Sequence, residues 1–237
     1  MLTLFIANSQ PPFFRHINVG VVSHFPAITY CQVVFDACVY QDSLFDEYAI
    51  PFPAELGKTV PKRRAEYLAV RYAARRLLED AGCAGHVGTA ASRAPVWPTG
   101  WCGSLSHTGN HAIAVIAPSH TGLTPGIDIE MLAPGTMRET ATIFTDTKEQ
   151  SLLANCGIPY ETALLIAFSV KESLFKALYP EAGCFFGFDA ARVCSIEPAT
   201  QRITLELTQS LTPRRKSGHR IRGYYLLQAE RVITLIA

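Results

Sequence analysis

The sequence ALLIAFSVKESLFKALY, residues 163–179, carries only three charged side chains, Lys171, Glu172 and Lys176. It predicts a long helix, Thr162–Tyr179, and a helix that is apolar on all sides is buried. These charges must therefore meet partners or a ligand, because an unpaired buried charge is costly. An ion pair one helical turn apart would explain Glu172 and Lys176 alone. A carboxylate that completes a metal site, with lysines that face phosphate, accounts for all of them.

A second acidic stretch, GIDIE at residues 126–130, is typical of a strand. Alternate residues of a strand share a face, so Asp128 and Glu130 project together while the isoleucines point into the core. Neighbouring carboxylates repel each other, and a cation between them removes that cost. Carboxylate oxygens are the ligands that Mg²⁺ prefers. Alone, the motif favours an exposed strand with two acids, and only together with Glu172 does it indicate a magnesium site.

The rest of the chain alternates short apolar runs with turn residues, which predicts a mixed α/β (α+β) fold. Further helices are expected at Lys62–Asp80, which Gly82 ends, and at Thr147–Asn155. Strands are expected at Val19–Val22, Cys31–Val39, Gly103–Ser106, Ala112–Ala117, Pro125–Glu130, Ala190–Ile196, Ile203–Leu207, Tyr224–Ala229 and Val232–Ile236. The loop at Thr121-Gly122 divides the chain into an N-terminal α/β half, residues 1–122, and a C-terminal α/β half, residues 123–237.

Basic side chains gather on one face of the Lys62–Asp80 helix, at Arg64, Arg71 and Arg75, with Arg63 at its leading edge. Guanidinium groups suit phosphate monoesters, so this face is a candidate phosphate site, and a solvated helix face is the alternative. Candidates for the same site are Arg93 and the turn residue His107.

A second basic cluster is expected in an exposed hairpin loop. Its members are Arg214, Arg215, Lys216, His219, Arg220 and Arg222. For this loop, contact with an acidic partner protein stays open beside a purely solvated role.

The composition excludes several classes of protein. With 49% apolar and 17% charged residues, the chain is expected to form a well-buried globule rather than a disordered protein. A net charge of +1 gives no overall attraction to nucleic acid or an acidic membrane. The seven scattered cysteines, without a CxxC pair, indicate reduced thiols in a cytoplasmic protein. The N-terminus has no signal-peptide pattern, and the longest apolar run, near His111–Ala117, is too short to span a bilayer.

Five segments resemble the Sfp-type 4′-phosphopantetheinyl transferases, and most closely their EntD-like bacterial subgroup. In the family's order they are PKRRAEYLAVR (61–71), RAPVWP (93–98), GSLSH (103–107), GIDIE (126–130) and FSVKESLFKAL (168–178). They span about half the chain; GIDIE alone is a weak signal, and GIDIE with FSVKESLFK is highly specific. The resemblance implies the 4′-phosphopantetheinyl transferase fold, a pseudo-twofold pair of similar α/β subdomains with coenzyme A in the cleft between them.

The resemblance also implies roles for the matching residues. Magnesium would be held against the pyrophosphate of coenzyme A by Asp128, Glu130 and Glu172. That pyrophosphate would be neutralised by Lys176 and Lys171. The 3′-phosphate and nearby parts of the nucleotide would be bound by Arg63, Arg71, Arg93, Ser106 and His107. The N-terminal half would thus be the nucleotide side, and the C-terminal half would carry magnesium and the catalytic group of Glu172, Lys176 and Asp128.

The implied reaction moves the phosphopantetheine arm of coenzyme A to a serine of an apo acyl or peptidyl carrier protein and releases 3′,5′-ADP. Glu172, or a water that it or Glu130 orients, would take the serine proton. One departure concerns the glutamate that the family often has after GIDIE: Lys148 stands at that spacing and Glu149 one residue later, which leaves the role of Glu149 open. We expect a cytoplasmic monomer, with siderophore or other secondary metabolism favoured over a general role.

Three other functions are alternatives to this reaction. A magnesium-dependent nuclease of the acid…E-x-K type also uses clustered carboxylates and a lysine. It would want E-x-K on a second strand, whereas Lys171-Glu172 lies on a buried helix, and its substrate would favour a broader basic surface. A serine hydrolase built on Ser106-His107 lacks G-x-S-x-G. A non-catalytic coenzyme A-binding protein has no need for three clustered carboxylates.

Overall fold

A computed structural model describes residues 1–237. The chain forms two compact units, Leu2–Pro125 and Gly126–Ala237, with Met1 grouped in the second. Each unit contains a five-stranded sheet in which every neighbouring pair is antiparallel, together with one long helix. The expected mixed α/β fold is therefore confirmed. No helix is both long enough and apolar enough to cross a membrane.

The first unit is built around its single long helix. Its elements are β1 (Leu2–Gln10), β2 (Phe14–Val22), β3 (Phe25–Phe35), α1 (Leu44–Glu47), α2 (Pro61–Asp80), β4 (Gly88–Thr89), β5 (Pro95–Val96), β6 (Trp101–Thr108) and β7 (His111–Pro118). The sheet order is β1-β2-β3-β7-β6, and β4 and β5 form a separate hairpin. Helix α2 packs on β3 and β7. Pro61 suits its first turn because its φ is already helical, and Gly82, at a φ of 75°, follows its end.

The second unit places its long helix on the edge of the sheet that contains the GIDIE strand. Its elements are β8 (Gly126–Met131), α3 (Pro134–Phe144), α4 (Thr147–Ala154), α5 (Tyr160–Ala182), β9 (Ala191–Glu197), β10 (Arg202–Leu207), β11 (Arg220–Gln228) and β12 (Arg231–Ile236). The sheet order is β8-β12-β11-β10-β9. Helix α5 packs on β8 and β12, and its apolar residues form the core of the unit.

Several elements differ from the sequence-based expectations. Helix α3 was not expected, and the strand expected at Cys31–Val39 is β3, which ends at Phe35, while Ala37–Val39 form a 3-10 helix. The helix expected at Thr162–Tyr179 is present as α5, but it continues through Pro180 and ends at Gly183, whose φ of 66° is left-handed. Strand β1 was not expected, because its residues are almost all exposed and show no alternation between buried and exposed positions.

Candidate active site

The glycine of GIDIE lets α5 lie directly on β8. A Cβ atom at Gly126 would stand 2.0 Å from the backbone oxygen of Ser173 and 2.6 Å from the backbone nitrogen of Ala177. No side chain fits in that space, so glycine is required here by close approach of the backbones. The result is that the residues following Gly126 on β8 meet α5 at short range.

One face of α5 carries a polar row at helical spacing. Its members are Ser169, Glu172, Ser173 and Lys176. The row faces β8 and β12: Lys176 Nζ lies 2.7 Å from Asp128 Oδ1 and donates to the backbone oxygen of Ile127 at 3.0 Å. Lys176 and Asp128 therefore form an ion pair in which the carboxylate is nearly inaccessible, its side chain being 3% exposed.

Three buried hydroxyls, the hydroxyl cluster Ser169, Ser173 and Thr234, fix the other oxygen of Asp128. Ser169 Oγ donates to Asp128 Oδ2 at 2.7 Å and lies 2.9 Å from Thr234 Oγ1. Ser173 Oγ donates to the backbone oxygen of Thr234 at 3.0 Å and lies 2.7 Å from its hydroxyl. Since Ser169 gives its one hydroxyl proton to Asp128, Thr234 is the donor in its bond with Ser169, and the proton of Ser173 is shared between the hydroxyl and the backbone oxygen of Thr234. Asp128 is thus held from both sides.

Glu172 belongs to the same electrostatic group. Burial raises the pKa of its carboxyl above the ordinary glutamate value, the nearby ammonium of Lys176 opposes that rise, and the charge of Asp128 adds to it. The structure therefore brings together Asp128, Glu172 and Lys176. Glu130 lies two residues after Asp128 on β8, and hence on the same face of the strand.

The carboxylates fit Mg²⁺ in donor type. They are hard oxygen ligands, and burial, with a smaller contribution from the charge of Asp128, raises the pKa of Glu172 by disfavouring its charged form. A cation beside Glu172 and Asp128 would relieve that penalty. In the structure no three His, Cys, Asp or Glu side chains are already arranged as a metal cluster, and the cation next to Asp128 is the ammonium of Lys176.

Lys171 does not join this group, and its sequence-based assignment to coenzyme A is not supported. It leaves α5 on another side, as expected for a residue adjacent to Glu172. Its Nζ lies 2.8 Å from Glu149 Oε1 and donates to the backbone oxygens of Phe144 at 2.6 Å and Phe188 at 3.3 Å. These acceptors use all three ammonium hydrogens. Lys171, only 3% exposed, therefore has none left for phosphate.

Glu149, whose role the sequence left open, is the buried partner of Lys171. Its Oε1 also accepts from the backbone N–H of Val193 at 2.7 Å, and its Oε2 from that of Asp146 at 2.9 Å. Asp146 in turn accepts from the backbone N–H of Glu149, which completes a capping box at the start of α4. The spacing Asp146-x-x-Glu149 is the signal that could have revealed this residue. Burial lowers the pKa of Lys171, and the charge of Glu149 opposes that fall.

In the first unit, the structure joins two of the residues expected at the nucleotide. Arg63 Nη1 lies 2.6 Å from His107 Nε2, and Glu66 Oε2 lies 3.7 Å from His107 Nδ1. A guanidinium only donates, so His107 accepts at Nε2 and carries its proton on Nδ1, toward Glu66. Arg63 remains about half exposed and keeps donors for a ligand.

The arginine face of α2 binds the protein's own backbone. Arg71 is 7% exposed and donates to the backbone oxygens of Val87 and Gly88 at 3.1 and 2.9 Å, and to the hydroxyl of Thr89 at 2.9 Å. Arg64 and Arg75 likewise donate to loop carbonyl oxygens. The expectation that this face is a phosphate site is therefore not supported for Arg64 and Arg75. Arg71 does line a cavity of about 250 Å³, beside Arg75, His86 and Tyr67.

The two remaining nucleotide candidates lie apart from this cluster. Arg93 is exposed in the turn between β4 and β5, at a φ of 69°, where its backbone N–H donates to Ala90. Since Arg71 binds Thr89 of β4, it fastens the hairpin that presents Arg93. Ser106 is buried on β6 and, as the neighbour of His107, points to the opposite face of that strand.

Comparisons with known proteins identify the family of the chain. The 4′-phosphopantetheinyl transferase N-terminal domain matches residues 52–117, and the 4′-phosphopantetheinyl transferase superfamily matches residues 124–234. The chain is 32% identical over 222 residues to enterobactin synthase component D of Salmonella typhi, which covers 92% of this chain and 91% of that protein. It is 40% identical over 131 residues to the Escherichia coli (strain K12) protein of the same name, covering 54% of this chain and 61% of that protein.

A more distant relative points the same way. The 4′-phosphopantetheinyl transferase Svp of Streptomyces mobaraensis is 31% identical over 175 residues, covering 71% of this chain and 70% of that protein. The chain therefore belongs to the 4′-phosphopantetheinyl transferase superfamily, and its activity is that of the family, transfer of a phosphopantetheinyl group to a carrier protein.

Proposed function

We propose that this enzyme uses Mg²⁺ to transfer the phosphopantetheine arm of coenzyme A to a serine of an apo acyl or peptidyl carrier protein, with release of 3′,5′-ADP. The observation that carries the proposal is the group formed by Asp128, Glu172 and Lys176, in which two carboxylates and an ammonium meet on the contact of β8 with α5. Such a group suits a pyrophosphate and its counter-ion.

The reaction forms a bond between the serine oxygen and the phosphorus that carries the pantetheine arm. The bond from that phosphorus to the bridging oxygen of the pyrophosphate breaks, and the oxygen leaves with 3′,5′-ADP. Lys176 donates to the pyrophosphate and offsets the charge that develops on it. The serine proton would pass to Glu172, or to a water that Glu172 or Glu130 orients.

The magnesium ligands would be Asp128, Glu130 and Glu172. When bound, Mg²⁺ would neutralise the two phosphates of the pyrophosphate and align them for displacement. The ion pair with Lys176 fixes one carboxylate oxygen of Asp128, and the hydrogen bond from Ser169 fixes the direction of the other. Lys176 is 24% exposed, so it can turn from Asp128 to phosphate without unfolding α5.

The nucleotide would be bound by residues of the first unit. Arg63 keeps free donors, and His107 and Glu66 hold it in place. Arg93 would add a second guanidinium, Ser106 would support the strand that carries His107, and Arg71 would act mainly by fastening the β4–β5 hairpin. The target of Arg63 is the 3′-phosphate, because guanidinium groups match phosphate geometry.

The carrier would belong to siderophore assembly, since several of the similar proteins are named enterobactin synthase component D. We further propose that the protein acts as a cytoplasmic monomer. All seven cysteines are free thiols, as in proteins of a reducing compartment.

The test is mass spectrometry of apo carrier proteins from siderophore, polyketide and fatty-acid systems after incubation with coenzyme A, Mg²⁺ and the enzyme. We expect the mass of the phosphopantetheine arm on the serine, and its loss when Mg²⁺ is chelated. Asp128→Asn should nearly abolish transfer, and Glu139→Gln, a change to an exposed acid on α3, should not. An unmodified carrier beside intact coenzyme A binding would instead identify a non-catalytic coenzyme A-binding protein. Cleavage of nucleic acid would identify a nuclease.

A further inference from the structure

The second unit has an aromatic surface directly beside Glu172. Phe185 follows the end of α5 and is 82% exposed, the most exposed large apolar side chain of the protein. Its ring centroid lies 5.4 Å from that of Phe175, and the ring of Phe186 lies 5.1 Å from the same residue. An isolated exposed apolar side chain needs no explanation, but this one borders a cavity.

The cavity, of about 120 Å³, is continuous with the active site because Glu172 lines it. The other lining groups are almost all apolar: Leu174, Phe175, Phe185, Phe186, Gly187, Phe188 and Ala191. The ammonium of Lys171 also lines it, but its hydrogens are already used by Glu149 and two backbone oxygens. The cavity therefore suits an apolar group without hydrogen-bonding needs.

Exposed cations lie at the end of the same helix. The loop between β10 and β11 contacts the last turn of α5, where Thr212 Oγ1 donates to Glu181 at 2.6 Å and Arg215 Nε lies 3.4 Å from it. Its neighbours Arg214 and Lys216 are exposed and form no ion pair. Glu181 is four residues before Phe185, a separation of at most about 14 Å along the backbone. One partner of a standard interface covers about 800 Å², a patch roughly 28 Å wide, which is enough for both features.

We propose that the carrier protein docks on this surface, inserting one apolar side chain into the cavity beside Phe185 and placing acidic side chains opposite Arg214 and Lys216. The inference rests on the proposed function: a serine that reaches the phosphorus beside Glu172 brings its own protein against the lining of this cavity. The pantetheine arm fits less well, because its two amide groups need hydrogen-bond partners and the lining is almost all apolar.

The test measures steady-state transfer by Phe185→Ser, with carrier and coenzyme A varied in turn. We expect the KM for carrier to rise at least tenfold, while the KM for coenzyme A and its calorimetric affinity stay within twofold. Since Phe185 is exposed, the fold should persist, and circular dichroism checks this. The matched control is Phe5→Ser, at a 65% exposed phenylalanine of β1, which should leave both KM values unchanged. In Arg214→Ser/Lys216→Ser, the KM for carrier should rise at low salt and depend less on salt than in the wild type.

Three results would overturn the docking proposal. One is an unchanged KM for carrier in Phe185→Ser, and another is an increase confined to the KM for coenzyme A, which would place the arm in the cavity. The third is a salt dependence that the double variant does not alter. If the wild type modifies no carrier at all, the proposed function fails instead, so the two failures are distinguishable.

Discussion

The buried pair of Lys171 and Glu149 gives the sharpest test of the structure. Lys171→Met keeps most of the aliphatic side chain but removes the ammonium, and with it the contact with Glu149 and the donors to two backbone oxygens. Loss of one partner of a buried ion pair costs about 3–5 kcal/mol. Glu149 would still accept from the backbone N–H groups of Val193 and Asp146, so its charge is not left alone. We therefore expect Lys171→Met to lower the free energy of unfolding by about 3 kcal/mol, near the lower end of that range.

The assay is urea unfolding followed by far-UV circular dichroism. Both tryptophans, Trp97 and Trp101, belong to the first unit, so their fluorescence does not report on this pair. Lys148→Met is the matched control, because Lys148 is an exposed lysine on the same helix as Glu149, and it should stay within about 0.5 kcal/mol of the wild type. In the double variant Lys171→Met/Glu149→Gln, the uncompensated charge is gone, so the loss should be smaller than the sum of the two single losses by about 1–3 kcal/mol.

The result that would refute this reasoning is a Lys171→Met variant as stable as the Lys148→Met control, or a double variant whose losses simply add. The same variant tests the function of the residue. If Lys171 is structural, the KM for coenzyme A, measured where the variant is folded, should remain that of the wild type. A rise confined to the KM for coenzyme A would support the contact between Lys171 and coenzyme A that the family resemblance implies.

Three further predictions follow from other contacts. Glu172→Gln should raise the free energy of unfolding of the metal-free protein at neutral pH, since the raised pKa of Glu172 means that its charged form is disfavoured in the folded state. Unfolding curves measured at several pH values should show that this gain in stability shrinks as the pH falls towards the ordinary glutamate pKa. A gain that does not depend on pH would contradict the prediction. Gly126→Ala should lower the free energy of unfolding by about 1–3 kcal/mol, because its Cβ would stand 2.0 Å from a helix carbonyl oxygen. The control is Gly135→Ala, whose Cβ would contact nothing. Thermal unfolding should show a stability within about 0.5 kcal/mol of the wild type for this control. Arg63→Ala should raise the KM for coenzyme A at least tenfold more than the KM for dephospho-coenzyme A, because the contact with the 3′-phosphate is worth about 1.5–3 kcal/mol. Arg71→Ala should instead lower the melting temperature and change the KM for both substrates equally. If Arg63→Ala also raised both KM values equally, Arg63 would not contact the 3′-phosphate.

The sequence was most informative where the chemistry depends on local geometry. Strand alternation placed Asp128 and Glu130 on one face, and helical spacing separated Lys171 from Glu172 and Lys176. These relations hold within a single strand or helix, so the period of that element is sufficient to predict them. The family resemblance, carried by five short motifs, then predicted the fold and the activity.

The remaining features depend on tertiary contacts that no local pattern contains. Lys171 and Glu149 are far apart in the chain, and a buried lysine has the same sequence signature whether it meets phosphate or a carboxylate. Arg71 lies on the arginine face that suggested phosphate, but the β4–β5 hairpin covers it with backbone oxygens. Asp128 was expected to be repelled by the neighbouring carboxylate of Glu130. Its ion pair with Lys176 already offsets that repulsion.

The contact of α5 with its surroundings has a consequence for redesign of the enzyme. One side of the helix is held by Lys171, and another by Lys176 and the hydroxyl cluster, while Gly126 brings the backbone of β8 against it. At a side-chain radius of about 5–6 Å, a rotation of about 20° would displace these groups by roughly 2 Å, enough to break the hydrogen bonds on both sides. The contacts on its different sides therefore allow α5 only one rotation about its axis. Changes of carrier preference are best sought in the segment after Gly183, where the aromatic surface can be altered without turning the helix that holds the carboxylate and the lysine.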